Sequence, residues 1–131
     1  MNTIVLQNKT CKLEFDRSNG ALIGLSAVES DWKLLDRPQL GLSFCLLLPL
    51  EGRRNNKVLG ELQKAASITP APDKSMLTIV WDGVTSQFGG QHDIVLTATI
   101  KLSEQQAVFA LTIDNRSPLV VENVYYPYLG A

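Results

Sequence analysis

The feature that most constrains the fold is a period of two in the large apolar residues of two neighbouring segments, residues 94–102 and 108–114. The alternating apolar positions are Ile94, Leu96, Ala98, Ile100 and Leu102, followed by Phe109, Leu111 and Ile113. Successive side chains of a β-strand point to opposite faces, so this period of two is typical of a strand. The segments lie on either side of Ser103-Glu104-Gln105-Gln106, which predicts two long strands joined as a hairpin.

A second hairpin is predicted near the start of the chain. Apolar Cys11, Leu13 and Phe15 alternate with polar residues and indicate a half-buried strand. Asn19-Gly20 follows, and an Asn-Gly pair is a strong hairpin-turn signal because both residues tolerate positive φ. Residues 21–27 are then expected to form the returning strand.

Further strands are expected in three apolar segments: residues 43–48, 76–81 and 120–126. The first has no polar side and is expected to be buried on both faces until Pro49 ends it. The strand at residues 76–81 is expected to end in a turn at Asp82-Gly83. Lys57–Ser67 fits either a helix or a strand, because its apolar spacing suits a helix whereas Gly60 disfavours one.

These elements predict an all-β, antiparallel β-sandwich with at most one short helix, formed as one domain over residues 1–131. The length of 131 residues is sufficient for a core without disulfides or a structural metal. A net charge of −1 argues against a nucleic-acid partner, and the longest apolar run, residues 46–50, argues against a membrane span. The absence of a signal peptide after Met1 favours the cytoplasm.

Few residues suggest catalysis. His92 is expected to be an exposed loop histidine, since its neighbour Asp93 would point to the opposite strand face and could not orient it as a general base. Cys11 and Cys45 have neither metal-ligand nor redox spacing, and we expect free thiols, although the sequence leaves a disulfide between them open. We expect no metal, because the single histidine restricts a ligand cluster. We expect no cofactor, since Gly89-Gly90 lacks the pattern of a phosphate-binding loop.

Acidic residues offer many candidates for a glycosidase-type carboxylate pair, but linear spacing does not show which of them meet. The candidates are Glu14, Asp16, Glu29, Asp31, Asp36, Glu51, Glu61, Asp82, Asp93, Glu104, Asp114 and Glu122. We expect solvated side chains at most of these positions, and we assign no catalytic residue.

Several other residues could contact ligands. Aromatic side chains stack on sugar rings; Trp81 and Tyr125 are expected in the core, and Trp32, Tyr126 and Tyr128 nearer to ends and loops. Asn8-Lys9-Thr10 and Asn115-Arg116-Ser117 match the N-glycosylation pattern, which is short enough to occur by chance. The basic group Arg53, Arg54 and Lys57 is expected to be a solvated surface feature.

Both ends of the chain resemble a known family. The segment Leu111 to Ser117 and the following Val121 to Gly130 contain a strand ending in Asn-x-Ser and a second strand running into Tyr-Pro-x-Leu-Gly. Ile4 to Asn8, Leu13 to Asp16 and Asn19 to Leu25 resemble the opening strands of the same family. The pattern is similar to the N-terminal β-sandwich domain of large bacterial glycoside hydrolases, grouped with the galactose mutarotase-like supersandwiches.

The resemblance implies a supersandwich-like, non-catalytic domain that packs on a downstream catalytic domain of the same chain and can contribute carbohydrate contacts. No catalytic motif of the family falls within this sequence, so no residue role is carried over. The apolar, aromatic ending Tyr125 to Ala131 also leads us to expect a longer chain. Two alternatives are an autonomous carbohydrate-binding module and a small enzyme using His92 or a carboxylate pair.

Overall fold

A computed structural model describes residues 2–30, 32–35, 43–104 and 106–128, and these residues form an all-β structure of antiparallel strands. The strands are β1 Thr3–Gln7, β2 Cys11–Asp16, β3 Leu22–Ala27, β4 Trp32–Leu35, β5 Cys45–Leu47, β6 Lys57–Leu59, β7 Ser67–Pro70, β8 Met76–Thr85, β9 Gln91–Leu102, β10 Ala107–Asn115 and β11 Asn123–Tyr125. Within the described ranges they form sheets in the orders β1-β2-β3-β4, β10-β9-β8-β7 and β11-β5-β6. The predicted all-β class is confirmed.

One core joins the three sheets. Leu6, Leu13 and Phe15 contribute from the first sheet, and Leu46 from the sheet that contains β5. The β8–β9 pair contributes alternate, fully buried side chains: Leu77, Ile79, Trp81, Ile94, Leu96, Ala98 and Ile100. Because every sheet directs its apolar face into the same core, the arrangement is consistent with a β-sandwich.

Both predicted hairpins are confirmed. In the β9–β10 hairpin Ala107 lies opposite Leu102, and the register continues without a shift to Asn115 opposite Ile94. In the β2–β3 hairpin a bulge lies between Glu14 and Phe15. Gly20 has φ +75°, as the turn requires of the residue after Asn19.

The structure corrects several boundaries. The expected turn at Asp82-Gly83 is wrong, because β8 continues to Thr85 through a bulge at which Gly83 has φ +85°. The expected strand at residues 120–126 is shortened to the three residues of β11, and all three are exposed. β4 and β7 were not predicted from the sequence; β7 ends at Pro70, which an edge strand tolerates.

Lys57–Ser67 is the segment that the sequence left open between helix and strand. It begins as β6, continues as a 3-10 turn over Gly60–Leu62 and ends at the start of β7. A Cβ atom on Gly60 would lie 2.7 Å from the backbone nitrogen of Phe44, so close strand packing fixes this glycine. No helix in the described ranges is long and apolar enough to cross a membrane.

Candidate functional site

His92 and Ser86 form the clearest side-chain pair of chemically reactive types. The prediction of an exposed loop histidine is wrong: His92 is half-buried in β9, opposite Val84 of β8. Its Nε2 lies 3.0 Å from Oγ of Ser86, which is buried in the loop between the two strands. Nothing in the linear sequence indicated this contact, because the loop geometry at Gly89-Gly90 brings the two side chains together.

The hydrogen bonds of Ser86 decide what the pair can do. Ser86 Oγ donates to the backbone carbonyl of Gly89 at 2.9 Å, and the His92 tautomer that satisfies both contacts is the one in which Nε2 carries the proton and donates to Ser86 Oγ. A serine nucleophile requires the opposite arrangement, in which the histidine nitrogen accepts the hydroxyl proton. Within the described part of the chain, no residue hydrogen-bonds the Nδ1 atom of His92 to orient the ring. The geometry is that of a clamp that holds the β8–β9 loop.

A small crevice of about 240 Å³ lies beside this clamp. Its lining residues are Lys57, Leu59, Leu62, Gln63, Thr85, Ser86 and Gln87. The buried Gln63 amide donates to the carbonyls of Leu59 and Thr85 and accepts from the backbone N–H of Thr85, at 2.9 to 3.0 Å. Since these bonds occupy both its amide nitrogen and oxygen, Gln63 ties β6 to the end of β8 rather than presenting a free group to a ligand.

A larger crevice of about 520 Å³ lies at one end of the sandwich, lined by Asn8, Lys9, Thr10, Glu29 and Glu104. It brings together two of the carboxylates named as candidates, Glu29 and Glu104, and both are exposed. Asp31 and Asp36 lie outside the described residues. No group of three or more His, Cys, Asp or Glu side chains in the described ranges could hold a metal ion.

The two glycosylation-type motifs form turns. Asn8 Oδ1 accepts from the backbone N–H groups of Thr10 and Cys11, and its Nδ2 donates to the carbonyl of Ser103. Asn115 is equivalent: Oδ1 accepts from the N–H of Ser117, and Nδ2 donates to the carbonyl of Leu119. These bonds are typical of Asx turns, and they occupy the amide nitrogens to which a glycan would be attached.

The two cysteines are free, as expected. Cys45 is buried, and burial raises the pKa of its thiol; nearby Lys57 acts in the opposite direction, and Glu61 in the same direction as burial. Burial also raises the pKa of Cys11. Both side chains therefore remain protonated thiols at neutral pH, which is the less nucleophilic form.

The aromatic residues divide differently from the sequence prediction. Trp81 is buried as expected; its Nε1 donates to the Asn19 carbonyl at 2.9 Å, and its ring meets Phe44 edge-on. Tyr125 was expected in the core, but it is 50% exposed because β11 has no layer over it. Trp32 is 63% exposed.

Tyr126 and Tyr128 are both half-buried. Tyr126 packs edge-on against Phe109, with 5.8 Å between ring centroids, and burial raises its pKa. The ring centroids of Tyr125 and Tyr128 also lie 5.8 Å apart. Tyr126 therefore covers part of β10, whereas Tyr125 lies on the outside.

The basic group of Arg53, Arg54 and Lys57 is exposed, and both of its arginines contact other side chains. Arg53 lies over the ring of Phe88, 4.7 Å from its centroid, and Arg54 forms an ion pair of 3.1 Å with Glu122. The Arg54 pair links the loop after β5 to the residue just before β11. At such exposure these contacts contribute little to stability.

Comparison of the chain with protein-family models, curated proteins and solved structures found no match. The resemblance of the two chain ends to a glycoside hydrolase domain therefore supports a functional proposal and no family assignment. The structure adds two surface features that bear on function: the exposed apolar residues around β11 and the exposed indole of Trp32.

Proposed function

We propose that this chain is a non-catalytic β-sandwich domain that packs on the catalytic domain of a carbohydrate-active enzyme, in particular a glycoside hydrolase. The carbohydrate part of this proposal rests on the resemblance at the two ends of the chain. The packing part rests on one observation, the exposure of apolar side chains on and beside β11.

We call Val120, Val124 and Tyr125 the β11 surface. Their side chains are 69%, 45% and 50% exposed, respectively. Since Val124 and Tyr125 are neighbours in a strand, they point to opposite faces, and β11 is therefore uncovered on both sides. Aromatic and apolar side chains that concentrate in one exposed segment are typical of surfaces that bind another polypeptide.

The arrangement of reactive groups supports a non-catalytic role for the described residues. The Ser86 hydroxyl is bonded to a backbone carbonyl, and the cysteine thiols are held protonated by burial. A domain of this kind contributes an interface, while the reacting carboxylates come from the domain on which it packs.

Hydrogen exchange tests the packing. The full reading frame should encode residues after Ala131, and in that longer protein the amides of residues 120–126 should exchange more slowly than in the 131-residue chain. Residues 76–85 of β8 serve as the internal reference and should exchange equally in both. A reading frame that stops directly after Ala131, or equal exchange at residues 120–126, would contradict the proposal.

A matched pair of variants assigns the interface. Tyr125→Ser should speed exchange at residues 120–126 in the longer protein, because it removes an aromatic contact. Val28→Ser alters another exposed apolar side chain, in the turn between β3 and β4, and should leave that exchange unchanged. The isolated chain should hydrolyse no aryl-glycoside.

A carbohydrate-binding module is the second candidate, and the exposure of Trp32 favours it. Sugar rings bind with their apolar faces against exposed aromatic rings. The chain has two tryptophans, and Trp81 is buried, so quenching by an added glycan reports on Trp32. This candidate predicts quenching that is lost in Trp32→Phe; a flat titration across a broad panel of oligosaccharides would exclude it.

A further inference from the structure

The outer edge of β10 is the longest open strand edge in the described structure. β10 pairs with β9 along its full length, from Ala107 to Asn115, and terminates the sheet order β10-β9-β8-β7. Among the described residues, no backbone hydrogen bond reaches the other side of β10. An open edge presents a row of unpaired N–H and C=O groups that can pair with another strand.

The hydrogen bonds at the two ends of the hairpin show which residues direct these groups outward. Ser103 N–H donates to the Gln106 carbonyl, and Arg116 N–H donates to the Asp93 carbonyl. In an antiparallel pair, hydrogen-bonded and non-hydrogen-bonded pairs alternate, so the even-numbered residues of β10 bond to β9. The odd-numbered residues, Ala107, Phe109, Leu111, Ile113 and Asn115, therefore direct their backbone groups to the open edge.

This edge lacks the features that normally prevent strand pairing. Proteins protect edges with short strands, lysines, prolines or bulges. Three other outer strands of the described structure contain such residues: Lys33 in β4, Lys57 in β6 and Pro70 in β7. The outer strands β1 and β11 lack them but have only five and three residues. β10 has nine residues, none of them Lys, Arg or Pro, and its register with β9 has no shift.

The side chains of β10 add an apolar row at the same edge. Phe109, Leu111 and Ile113 face inward, yet they remain half-buried, whereas the inward residues of β8 and β9 are buried. Tyr126 covers part of Phe109, and a further strand beside β10 would cover the flank of this row that remains exposed. The edge therefore offers both hydrogen-bonding groups and apolar area to the same partner.

We propose that β10 pairs antiparallel with β10 of a second copy of this chain, around a two-fold axis at Leu111. In this register Leu111 lies opposite Leu111 of the second copy, and Phe109 lies opposite Ile113. Every residue with outward backbone groups then meets another such residue, as a hydrogen-bonded pair requires. The two apolar rows become one continuous row on the inner face of a joined sheet.

The charges on the outer face fit the same register. Ala110 lies opposite Thr112, and Val108 opposite Asp114, so no like charges face each other across the new strand pair. Asp114 retains its ion pair with Arg116, at 2.9 Å within its own chain. This pairing uses β10, not the β11 surface, and so it does not depend on the proposed function.

Two charge variants of the 131-residue chain test the register by sedimentation velocity over a concentration series. The unmodified chain should approach twice its 14.4 kDa mass. Ala110→Lys with Thr112→Lys places like charges directly opposite each other twice and should give a monomer. Ala110→Lys with Thr112→Glu has the same sites, but places opposite charges face to face, and should remain dimeric.

Disulfide cross-linking gives an independent measurement. Residues 110 and 112 of the two copies would form non-hydrogen-bonded pairs with Cα atoms roughly 4.5 Å apart, within the range of a disulfide. Ala110→Cys with Thr112→Cys should therefore form a covalent dimer on mild oxidation. Ala110→Cys alone should not, because position 110 of one copy lies two residues away from position 110 of the other.

We expect each variant to fold, because both substituted side chains are exposed, and circular dichroism checks this. A monomeric unmodified chain at every concentration would overturn the proposal. A dimer that survives the two lysines, or one that both charge variants abolish equally, would also overturn it. Equal cross-linking by the single and double cysteine variants would do the same.

Discussion

The β8–β9 pair and the region of β10 and β11 are both rich in β-branched and aromatic residues, but they are covered to different extents. Trp81 and Ile100 are fully buried, whereas Phe109 is half-buried and Tyr125 is half exposed. β8 and β9 lie inside their sheet with strands on both sides, while β10 and β11 each terminate a sheet. Alternation therefore determines which face points inward, and the position of a strand in its sheet determines how much of that face is buried.

The largest loss of stability is expected at the buried Trp81 of β8, and the exposed Trp32 of β4 serves as its reference. Trp81→Ala removes a fully buried ring and the donor to the Asn19 carbonyl, and it should lower the free energy of unfolding by about 3–5 kcal/mol. Trp32→Ala, the matched exposed site, should change it by less than about 0.5 kcal/mol. Urea unfolding monitored by circular dichroism measures both; similar losses would show that exposure does not separate these sites.

The turn that packs on Trp81 should be nearly as sensitive. A Cβ atom at Gly20 would lie 2.8 Å from Cζ2 of Trp81, and the residue has φ +75°. We expect Gly20→Ala to cost about 2–4 kcal/mol, combining backbone strain with overpacking. Gly52 has φ +76° but open space around it, so Gly52→Ala should cost only about 1–2 kcal/mol. Equal losses in urea unfolding would exclude the close packing on Trp81.

A smaller effect is expected on β10 itself. Phe109→Ala removes a half-buried ring and its edge-on contact with Tyr126, for a loss of about 1–2 kcal/mol. Ile100, its cross-strand neighbour in β9, is fully buried, and Ile100→Ala should cost about 2–5 kcal/mol. The comparison is made in dilute protein by urea unfolding. A larger loss at position 109 than at 100 would reverse the expected order of burial.

The stability of the region around β10 is expected to depend on pH through Tyr126, which packs on Phe109. Burial raises the pKa of Tyr126 in the folded state, so above about pH 10 the unfolded chain loses a proton that the folded chain retains. The stability contributed by the neutral phenol is complete below that pH and declines as the pH rises. Thermal unfolding of the unmodified chain and of Tyr126→Phe should therefore diverge above about pH 10 and run parallel below it; parallel curves throughout would contradict the prediction.

The smallest effect is expected on the β11 surface. Tyr125 is exposed, and Tyr125→Ser in the isolated chain should change the free energy of unfolding by less than about 0.5 kcal/mol. The same substitution should be detectable in the longer protein, where the proposed partner covers the side chain. A large loss in the isolated chain would show that Tyr125 supports the domain's own core.

The sequence predicted the elements whose signal is local. The alternation at residues 94–114 gave the β9–β10 hairpin, and Asn19-Gly20 gave the β2–β3 turn, because period and turn conformation depend on neighbouring residues. β4 and β7 were missed because both are short and β7 contains Pro70. The Ser86–His92 clamp was missed because a loop conformation creates it.

The amino-acid sequence by itself determined the strand-rich class, the long hairpins, and which face of each strand is apolar. Only the tertiary structure decided that Trp81 is covered while Tyr125 and the edge of β10 are not. Burial depends on which strands become sheet neighbours and which faces another sheet covers. Those long-range contacts leave no periodic mark in the residues that make them.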